Sequence, residues 1–210
     1  MKTSVIIPVK TFKRSKTRLG LTESKTESLC RLFFEEIIKT VSKSNLVDKI
    51  IVVTKEEKIS DLIEKYDCMK ILDKNEESVN NAISLSEKYL KENEFTHSIV
   101  LPSDIPFFYS DDIDKILKKS SENSVLIVPS RHFDGTNALL RCPINSMITR
   151  YDEGNYCMQV ESAKKNNIRI SVGLIYRLML DVDNCNDLEF ALMLNIKPEL
   201  CESIRHIINQ

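Results

Sequence analysis

The sequence predicts an α/β protein with a three-layer, mostly parallel mixed sheet. Short apolar, β-branched segments alternate with amphipathic ones up to about residue 128. Continuous apolar runs of this kind are typical of strands buried on both faces of a parallel sheet. Right-handed crossovers then place helices on both faces. The length of 210 residues suits a single domain over residues 1–210.

The first part of the chain contains five predicted strands and four predicted helices. We expect strands at 5–9, 49–54, 69–72, 98–101 and 125–128, with helices at 23–42, 58–66, 79–92 and 111–119. The first helix is indicated by Leu29, Leu32, Phe33, Ile37 and Val41, whose spacing of mostly three or four residues places them on one helix face. The order is β-α-β-α-β-α-β-α-β, which favours a parallel sheet.

The second half departs from this alternation. Further strands are predicted at 136–140, 168–172 and 177–180, and helices at 157–166, 187–194 and 198–208. Two strands now follow each other without a helix between them. The sheet is therefore expected to include at least one antiparallel strand.

The loop after the first strand is strongly basic. Five cations occur within nine residues, namely Lys10, Lys13, Arg14, Lys16 and Arg18. Ligands of α/β proteins bind beyond the carboxyl ends of parallel strands, so this loop predicts an anion site. It lacks the glycines of the common phosphate-binding loops, which means that side-chain cations would hold the phosphates of a nucleotide.

Three carboxylates follow predicted strands at the same edge of the sheet. Asp104 follows strand 98–101, and Asp181 and Asp183 follow strand 177–180. Mg²⁺ is commonly held by one or two carboxylates together with substrate phosphates. Cations for a triphosphate and carboxylates for its metal predict a nucleotidyl-transfer site. If the acceptor is itself a phosphate, with a second pKa of about 6, it is already ionised at neutral pH and needs no general base.

Composition and charge exclude several classes of protein. The net charge of -1 disfavours a nucleic-acid binder that relies on contacts with the phosphate backbone. No segment resembles a membrane span or a signal peptide, so we expect no membrane association and a cytoplasmic location. The six cysteines show no metal-binding spacing and are expected to be reduced thiols.

Five motifs, in this order, resemble the CofC family of 2-phospho-L-lactate guanylyltransferases, which serve coenzyme F(420) biosynthesis. They are IPVKTFKRSKTRL, VNNAIS, LPSDIPFF, VPSRHFDGTNALL and LDVDNCNDLEFA, and they span nearly the whole chain. The resemblance implies a single nucleotidyltransferase domain with a GT-A-like, Rossmann-like fold of the nucleotide-diphospho-sugar transferase type. It also implies Mg²⁺, GTP, a small phosphorylated acid as acceptor, and a homodimer. The acceptor would be 2-phospho-L-lactate, phosphoenolpyruvate or 3-phosphoglycerate, and pyrophosphate would leave.

The resemblance also suggests roles for individual residues. The nucleotide contacts would be Pro8, Val9, Lys10, Arg14, Lys16, Arg18, Asn80 and Ser103. Among these, Lys10, Lys16 and Arg18 look like the residues that bind the triphosphate. Asn80 lies where the corresponding loop of the family approaches the guanine. Lys16, Arg18 and Asp104 would be catalytic. Asp104 and Asp183 look like the metal ligands, with Asp181 as a nearby substitute.

The acceptor would contact Thr136, Asn137, Asp152 and Asn155. One loop differs from the family: residues 151–156 read YDEGNY where the family usually has FGxGSF. Asp152 and Glu153 would repel an anionic acceptor unless they point away or a cation intervenes. Two alternatives therefore stay open, a related nucleotidyltransferase with a molybdopterin or sugar phosphate acceptor, and a non-catalytic GTP-binding regulatory protein. The first is disfavoured because its glycine-rich first loop is missing.

Overall fold

A computed structural model describes residues 2–12 and 16–209 of the chain. Within these residues a seven-stranded sheet has the strand order β3-β2-β1-β4-β6-β5-β7. The strands are β1 (Thr3–Pro8), β2 (Lys49–Val53), β3 (Met69–Ile71), β4 (His97–Val100), β5 (Ser124–Pro129), β6 (Thr136–Cys142) and β7 (Arg169–Val172). The helices are α1 (Glu23–Val41), α2 (Ser60–Lys65), α3 (Val79–Glu92), α4 (Ser110–Lys118), α5 (Cys157–Lys165), α6 (Cys185–Leu194) and α7 (Pro198–Asn209).

The predicted mixed sheet is confirmed, including its antiparallel member. Strands β3, β2, β1 and β4 are parallel neighbours. Strand β6 runs antiparallel to both β4 and β5. Strand β5 therefore points the same way as β4, as predicted, but it is not the neighbour of β4 because β6 lies between them.

The two faces of the sheet carry separate apolar clusters, which gives the three predicted layers. Val5 and Ile7 of β1 pack on the face covered by α1, α2 and α4. Ile6, between them, packs on the opposite face with α3 and α5. A third cluster joins one end of α1 to α6 and α7. The alternation along β1 is the period of two expected of a central strand.

One predicted strand is wrong. Residues 177–180 do not join the sheet, since the chain forms a 3-10 turn at Tyr176–Met179. Arg177 instead donates to both carboxylate oxygens of Asp112 in α4, each at 2.7 Å. The turn is thus fixed by an ion pair and by the buried side chain of Leu178.

The carboxyl ends of the four parallel strands meet at one edge of the sheet. The ladder continues past β1, where the Val9 N–H donates to the Val53 carbonyl, and past β4, where the Leu101 N–H donates to the Ile6 carbonyl. Loops that leave these strands therefore face each other across a common crevice. Among residues 2–12 and 16–209, no helix combines the length and apolarity that crossing a membrane requires.

Candidate active site

A cavity of about 410 Å³ lies across the carboxyl ends of β1, β2 and β4. Six of the predicted nucleotide contacts line it: Pro8, Val9, Lys10, Lys16, Arg18 and Ser103. Asp104 and Asp183, the predicted metal ligands, line the same cavity. Arg14, another predicted nucleotide contact, lies outside the described residues. The cavity thus brings together the basic loop and the carboxylates that the sequence suggested should meet.

The ammonium group of Lys16 lies between two carboxylates. Its Nζ is 2.8 Å from Oδ2 of Asp104 and 2.7 Å from Oδ1 of Asp183. Burial by itself lowers the pKa of Lys16, but the two carboxylates outweigh burial and raise its pKa above the ordinary value. Lys16 is therefore fully protonated at neutral pH. The pair of carboxylates is a place where a cation is already held.

Asp183 reaches the site through backbone contacts. The N–H of Val182 donates to the carbonyl of Asp104 at 3.0 Å, which ties the segment after the 3-10 turn to the end of β4. Oδ2 of Asp187 accepts from the N–H groups of Asp183 and Asn184 at 3.1 and 3.2 Å. Asp187 is in turn held by Arg131 at 2.9 Å. The two metal-ligand candidates thus approach each other although one of them follows a turn and not the predicted strand.

Asp181 lies beside this pair in a drier environment. Burial raises its pKa to about 6, and the charges of Asp104 and Asp183 add to this effect while the Asn137 side chain opposes it. Nδ2 of Asn137 donates to Oδ1 of Asp181 at 3.1 Å. It is Asp183, and not Asp181, that shares the Lys16 ammonium with Asp104.

The first part of the basic loop is anchored by buried carboxylates. Glu76 accepts from the backbone N–H and the hydroxyl of Thr11, and Glu56 accepts from the Phe12 N–H at 2.9 Å. Lys16 itself has a left-handed backbone, with φ of 55°. The contacts of Thr11 and Phe12 fix where the loop leaves β1. Lys10 and Arg18 are exposed and line the cavity.

Asn80 is not among the residues that line this cavity. It lines a second cavity of about 260 Å³ with Glu87 and Thr149, among others. Its side-chain Oδ1 accepts from the N–H of Tyr151 at 2.9 Å. The structure therefore does not bring Asn80 to the other predicted nucleotide contacts.

The two acidic residues of the altered loop point to partners of their own. Asp152 accepts from the N–H groups of Val79 and Asn80 at the start of α3, at 3.1 and 3.0 Å. Glu153 forms an ion pair with Arg150. Asp152 thus points towards the start of α3, and the cation of Arg150 lies beside Glu153.

The predicted acceptor contacts lie at the start of β6 and in the altered loop. Thr136 and Asn137 are buried, whereas Asn155 is exposed and accepts from the Cys157 N–H at 2.9 Å. None of these three, nor Asp152, is among the described residues that line the 410 Å³ cavity. Asn137 is connected to the site through Asp181.

Sequence reasoning missed several residues of the cavity wall. Asp73, Glu76 and Ser78, in the loop between β3 and α3, all line it. Asp73 follows β3 just as Asp104 follows β4, so the rule used for Asp104 could have identified it. Strand β3 was itself predicted, at 69–72, but the carboxylate that follows it was not considered.

The fold and this site define the class of the protein, an α/β nucleotidyltransferase. Among solved structures, a nucleotidyl transferase from Methanothermobacter thermautotrophicus has a similar fold, with a TM-score of 0.67, 12% identity, and coverage of 96% of this chain and 99% of that one. The profile of the family described as "Guanylyl transferase CofC like" matches residues 3–202. The chain belongs to this family.

Three curated relatives illustrate the range of the family. A phosphoenolpyruvate guanylyltransferase from Conexibacter woesei is 28% identical, over 90% of this chain and 86% of its own length. A 2-phospho-L-lactate guanylyltransferase from Methanosphaera stadtmanae is 31% identical, over 87% and 80%. A 3-phospho-D-glycerate guanylyltransferase from Colwellia psychrerythraea is 28% identical, over 93% of both chains. The relatives named here share guanylyl transfer and differ in the acid that accepts it.

Proposed function

We propose that this protein transfers GMP from GTP to a small phosphorylated acid and releases pyrophosphate, as a step of coenzyme F(420) biosynthesis. The acceptor is 2-phospho-L-lactate, phosphoenolpyruvate or 3-phosphoglycerate. The observation that carries the proposal is the cavity in which Lys10, Lys16 and Arg18 face Asp104 and Asp183. Family membership supports the choice of guanine and of a phosphorylated acid.

The reaction exchanges one phosphorus–oxygen bond for another. An oxygen of the acceptor phosphate attacks the α-phosphorus of GTP, and the bond from that phosphorus to the bridging oxygen of the β-phosphate breaks. The electron pair leaves with pyrophosphate. An acceptor phosphate with a second pKa of about 6 is ionised at neutral pH, and among the described residues no histidine lines the cavity. The chain's own residues thus contribute positioning and charge, in place of a general base.

The cations offset the charge of the triphosphate. Lys10 and Arg18 lie exposed at the rim, where they can meet the β- and γ-phosphates. The Lys16 side chain, held by two carboxylates, is long and flexible enough to turn towards the phosphates when another cation takes its place. Its positive charge also reduces the repulsion between the carboxylates and an approaching polyphosphate.

The carboxylates Asp104 and Asp183 fit a magnesium ion. They already share a cation, and their oxygens are the hard ligands that Mg²⁺ prefers. No group of three or more histidine, cysteine or acidic side chains among the described residues could hold a metal, but Mg²⁺ needs only one or two carboxylates when phosphates supply further oxygens. When bound, Mg²⁺ would neutralise phosphate charge and polarise the reacting phosphoryl group.

Acceptor binding is proposed at the side of the cavity next to β6. Thr136 and Asn137 begin this strand, and Asn155 lies in the altered loop. Asp152 would act there indirectly, because its carboxylate docks the loop onto α3. The distinct loop sequence would then set which of the phosphorylated acids fits.

Pyrophosphate release measured with GTP, Mg²⁺ and each of the three acids tests the proposed function. We expect turnover with at least one acid, none without an acid, and much less with ATP or CTP. Turnover with a molybdopterin or a sugar phosphate instead would identify a different acceptor class. Tight GTP binding without turnover on any acceptor would favour a regulatory protein.

We also propose a cytoplasmic location and a homodimer, of which family resemblance supports the homodimer. A homodimer would have about twice the chain mass of 24.2 kDa. Light scattering during size-exclusion chromatography measures this mass directly. A single species at the mass of one chain would count against the dimer.

A further inference from the structure

The cavity extends well beyond the phosphate site. Its wall runs from Asp104, after β4, past Val9 and Val53 to Asp73, after β3. Neighbouring strands are about 4.8 Å apart, so three spacings separate the two ends by about 14 Å. With the phosphates between the basic loop and Asp104, the nucleoside has to lie over β1 and β2, and its base then reaches the end of β3.

Asp73 is a buried carboxylate with an unused acceptor at that end. Asp73 is only 5% exposed. Oδ1 accepts from the N–H of Glu76 at 3.1 Å. Among the described residues, Oδ2 has no hydrogen-bond partner. Oδ2 is not among the fully enclosed unpaired side-chain atoms, and Asp73 lines the cavity, so this oxygen opens on the cavity and is available to a donor of a ligand.

The neighbouring buried carboxylates are committed elsewhere. Glu76 binds Thr11 and also lies 3.0 Å from the ammonium of Lys55. Glu56 accepts from the N–H groups of Phe12 and Lys58. Both hold the loop that follows β1. Of these three acidic residues, Asp73 alone combines a place in the cavity wall with an oxygen that no described residue uses.

We propose that Asp73 selects guanine by accepting hydrogen bonds from the N1–H and the 2-amino group of the base. This inference rests on the proposed function, because it takes the bound nucleotide to be GTP. Guanine offers two donors on that edge, and a carboxylate offers only acceptors. Adenine and cytosine place a ring nitrogen with a lone pair there, so the carboxylate would repel them. Asp73 also replaces Asn80 as the base contact, since the Asn80 side chain is turned towards the loop at Tyr151.

A purely structural role for Asp73 is the competing explanation. The bond from the Glu76 N–H closes a turn in which Glu76 has a left-handed φ of 48°. Such a turn needs one side-chain oxygen, which asparagine also supplies. The substitution Asp73→Asn therefore keeps the turn and changes only the second atom, from an acceptor to a donor. This makes the two roles separable.

Equilibrium binding of GTP, XTP, ITP and ATP to the whole chain, with Mg²⁺ and without an acceptor, tests the inference. We expect wild type to prefer GTP over ITP, which lacks the 2-amino group, and to bind ATP weakly. Asp73→Asn should lose at least about tenfold in GTP affinity, as expected for hydrogen bonds to a charged group. It should gain in XTP affinity, because xanthine pairs an N1–H with a carbonyl at position 2 that the new amide can bind.

Two further variants complete the test. Asp73→Ser keeps a hydroxyl for the turn and should lose the preference for GTP over ITP without gaining XTP binding. Asn80→Ala should leave the ratio of GTP to ATP affinity unchanged. An Asp73→Asn protein that folds and still prefers GTP to XTP as wild type does would overturn the inference, and so would loss of selectivity in Asn80→Ala alone. Wild type that binds GTP no better than ATP would instead contradict the proposed function.

Discussion

Asp152 and Asn80 hold the altered loop against α3 through a reciprocal pair of contacts. The carboxylate of Asp152 accepts from the Asn80 N–H, and the Asn80 side chain accepts from the N–H of Tyr151. Asp152 also accepts a hydrogen bond from the Val79 N–H, and the Ser78 hydroxyl accepts one from the Asn81 N–H. Side chains therefore accept hydrogen bonds from the first three N–H groups of the helix. Two of these N–H groups, those of Val79 and Asn80, bind Asp152, which is 73 and 72 residues away in the sequence.

Loss of this loop contact should lower stability. Asp152→Ala leaves two N–H groups at the start of α3 without their acceptor, so we expect a loss of about 1 kcal/mol in the free energy of unfolding. Urea denaturation measures it, and hydrogen exchange at residues 79 and 80 should speed up. Glu153→Ala is the matched control, because its exposed ion pair with Arg150 should contribute less than about 0.5 kcal/mol. Equal effects of the two variants would contradict the capping role.

The ion pair between Asp112 and Arg177 should stabilise the turn that precedes the metal-ligand candidates. Asp112 is 1% exposed and accepts twice from Arg177. We expect Asp112→Asn to cost about 2 kcal/mol at pH 7, the range of hydrogen bonds to charged groups. Asp111→Asn, at an exposed neighbouring position of the same helix, is the control.

The same pair predicts a dependence on pH. Burial raises the pKa of Asp112, but Arg177 and the Tyr109 N–H outweigh burial and hold the pKa below its ordinary value. A carboxyl group whose pKa is lowered by folding stabilises the folded state fully above its unfolded pKa of about 3.9. This stabilisation is lost as the pH falls further. The difference between wild type and Asp112→Asn should therefore shrink below about pH 4. If the free energies of unfolding of wild type and Asp112→Asn differ by the same amount at pH 7 and at pH 3, the result would argue against this ion pair.

Much of the sheet was predictable because buried strands are local patterns. The apolar runs around Val5 and Ile99 identify β1 and β4 directly, and the basic loop and Asp104 follow from where those strands end. The position of β6 between β4 and β5 was not predictable, since strand pairing is decided by non-local contacts. The 177–180 segment shows the same limit: its apolar residues suit a strand, but a contact distant in sequence, the Arg177–Asp112 ion pair, holds it as a turn.

In the candidate site, too, features set by local sequence patterns were predictable and features set by non-local contacts were not. Asp104 and Asp183 could be predicted because each follows an apolar segment at the sheet edge. The partners of Asp152 could not, because its hydrogen bonds join segments that are distant in sequence. The direction of the Asn80 side chain could not be predicted for the same reason, because a motif position does not reveal which way a side chain turns when a loop packs on it.

Replacing Asp104 tests the carboxylate side of the cavity. Asp104→Asn removes one negative charge from the pair that holds the Lys16 ammonium, so we expect kcat to fall about 100-fold or more. The side chain is partly exposed at a crevice, and the fold and the unfolding midpoint should change little. The control is Asp67→Asn, whose side chain is 95% exposed. Full activity of Asp104→Asn with magnesium would refute the assignment.

Replacing Arg18 tests the basic side. Arg18 lies at the cavity rim, outside the ion pairs that organise Lys16, so Arg18→Ala should weaken GTP binding without altering the carboxylates. We expect a loss of about tenfold, or about 1.4 kcal/mol. Because exposed charges are screened by salt, the difference in GTP affinity between wild type and Arg18→Ala should become smaller as ionic strength rises. Titration calorimetry at low and high salt measures both effects, with Arg205→Ala on α7 as the control. An unchanged affinity at low salt would mean that Arg18 is ordinary surface charge and that the remaining cations of the basic loop bind the phosphates alone.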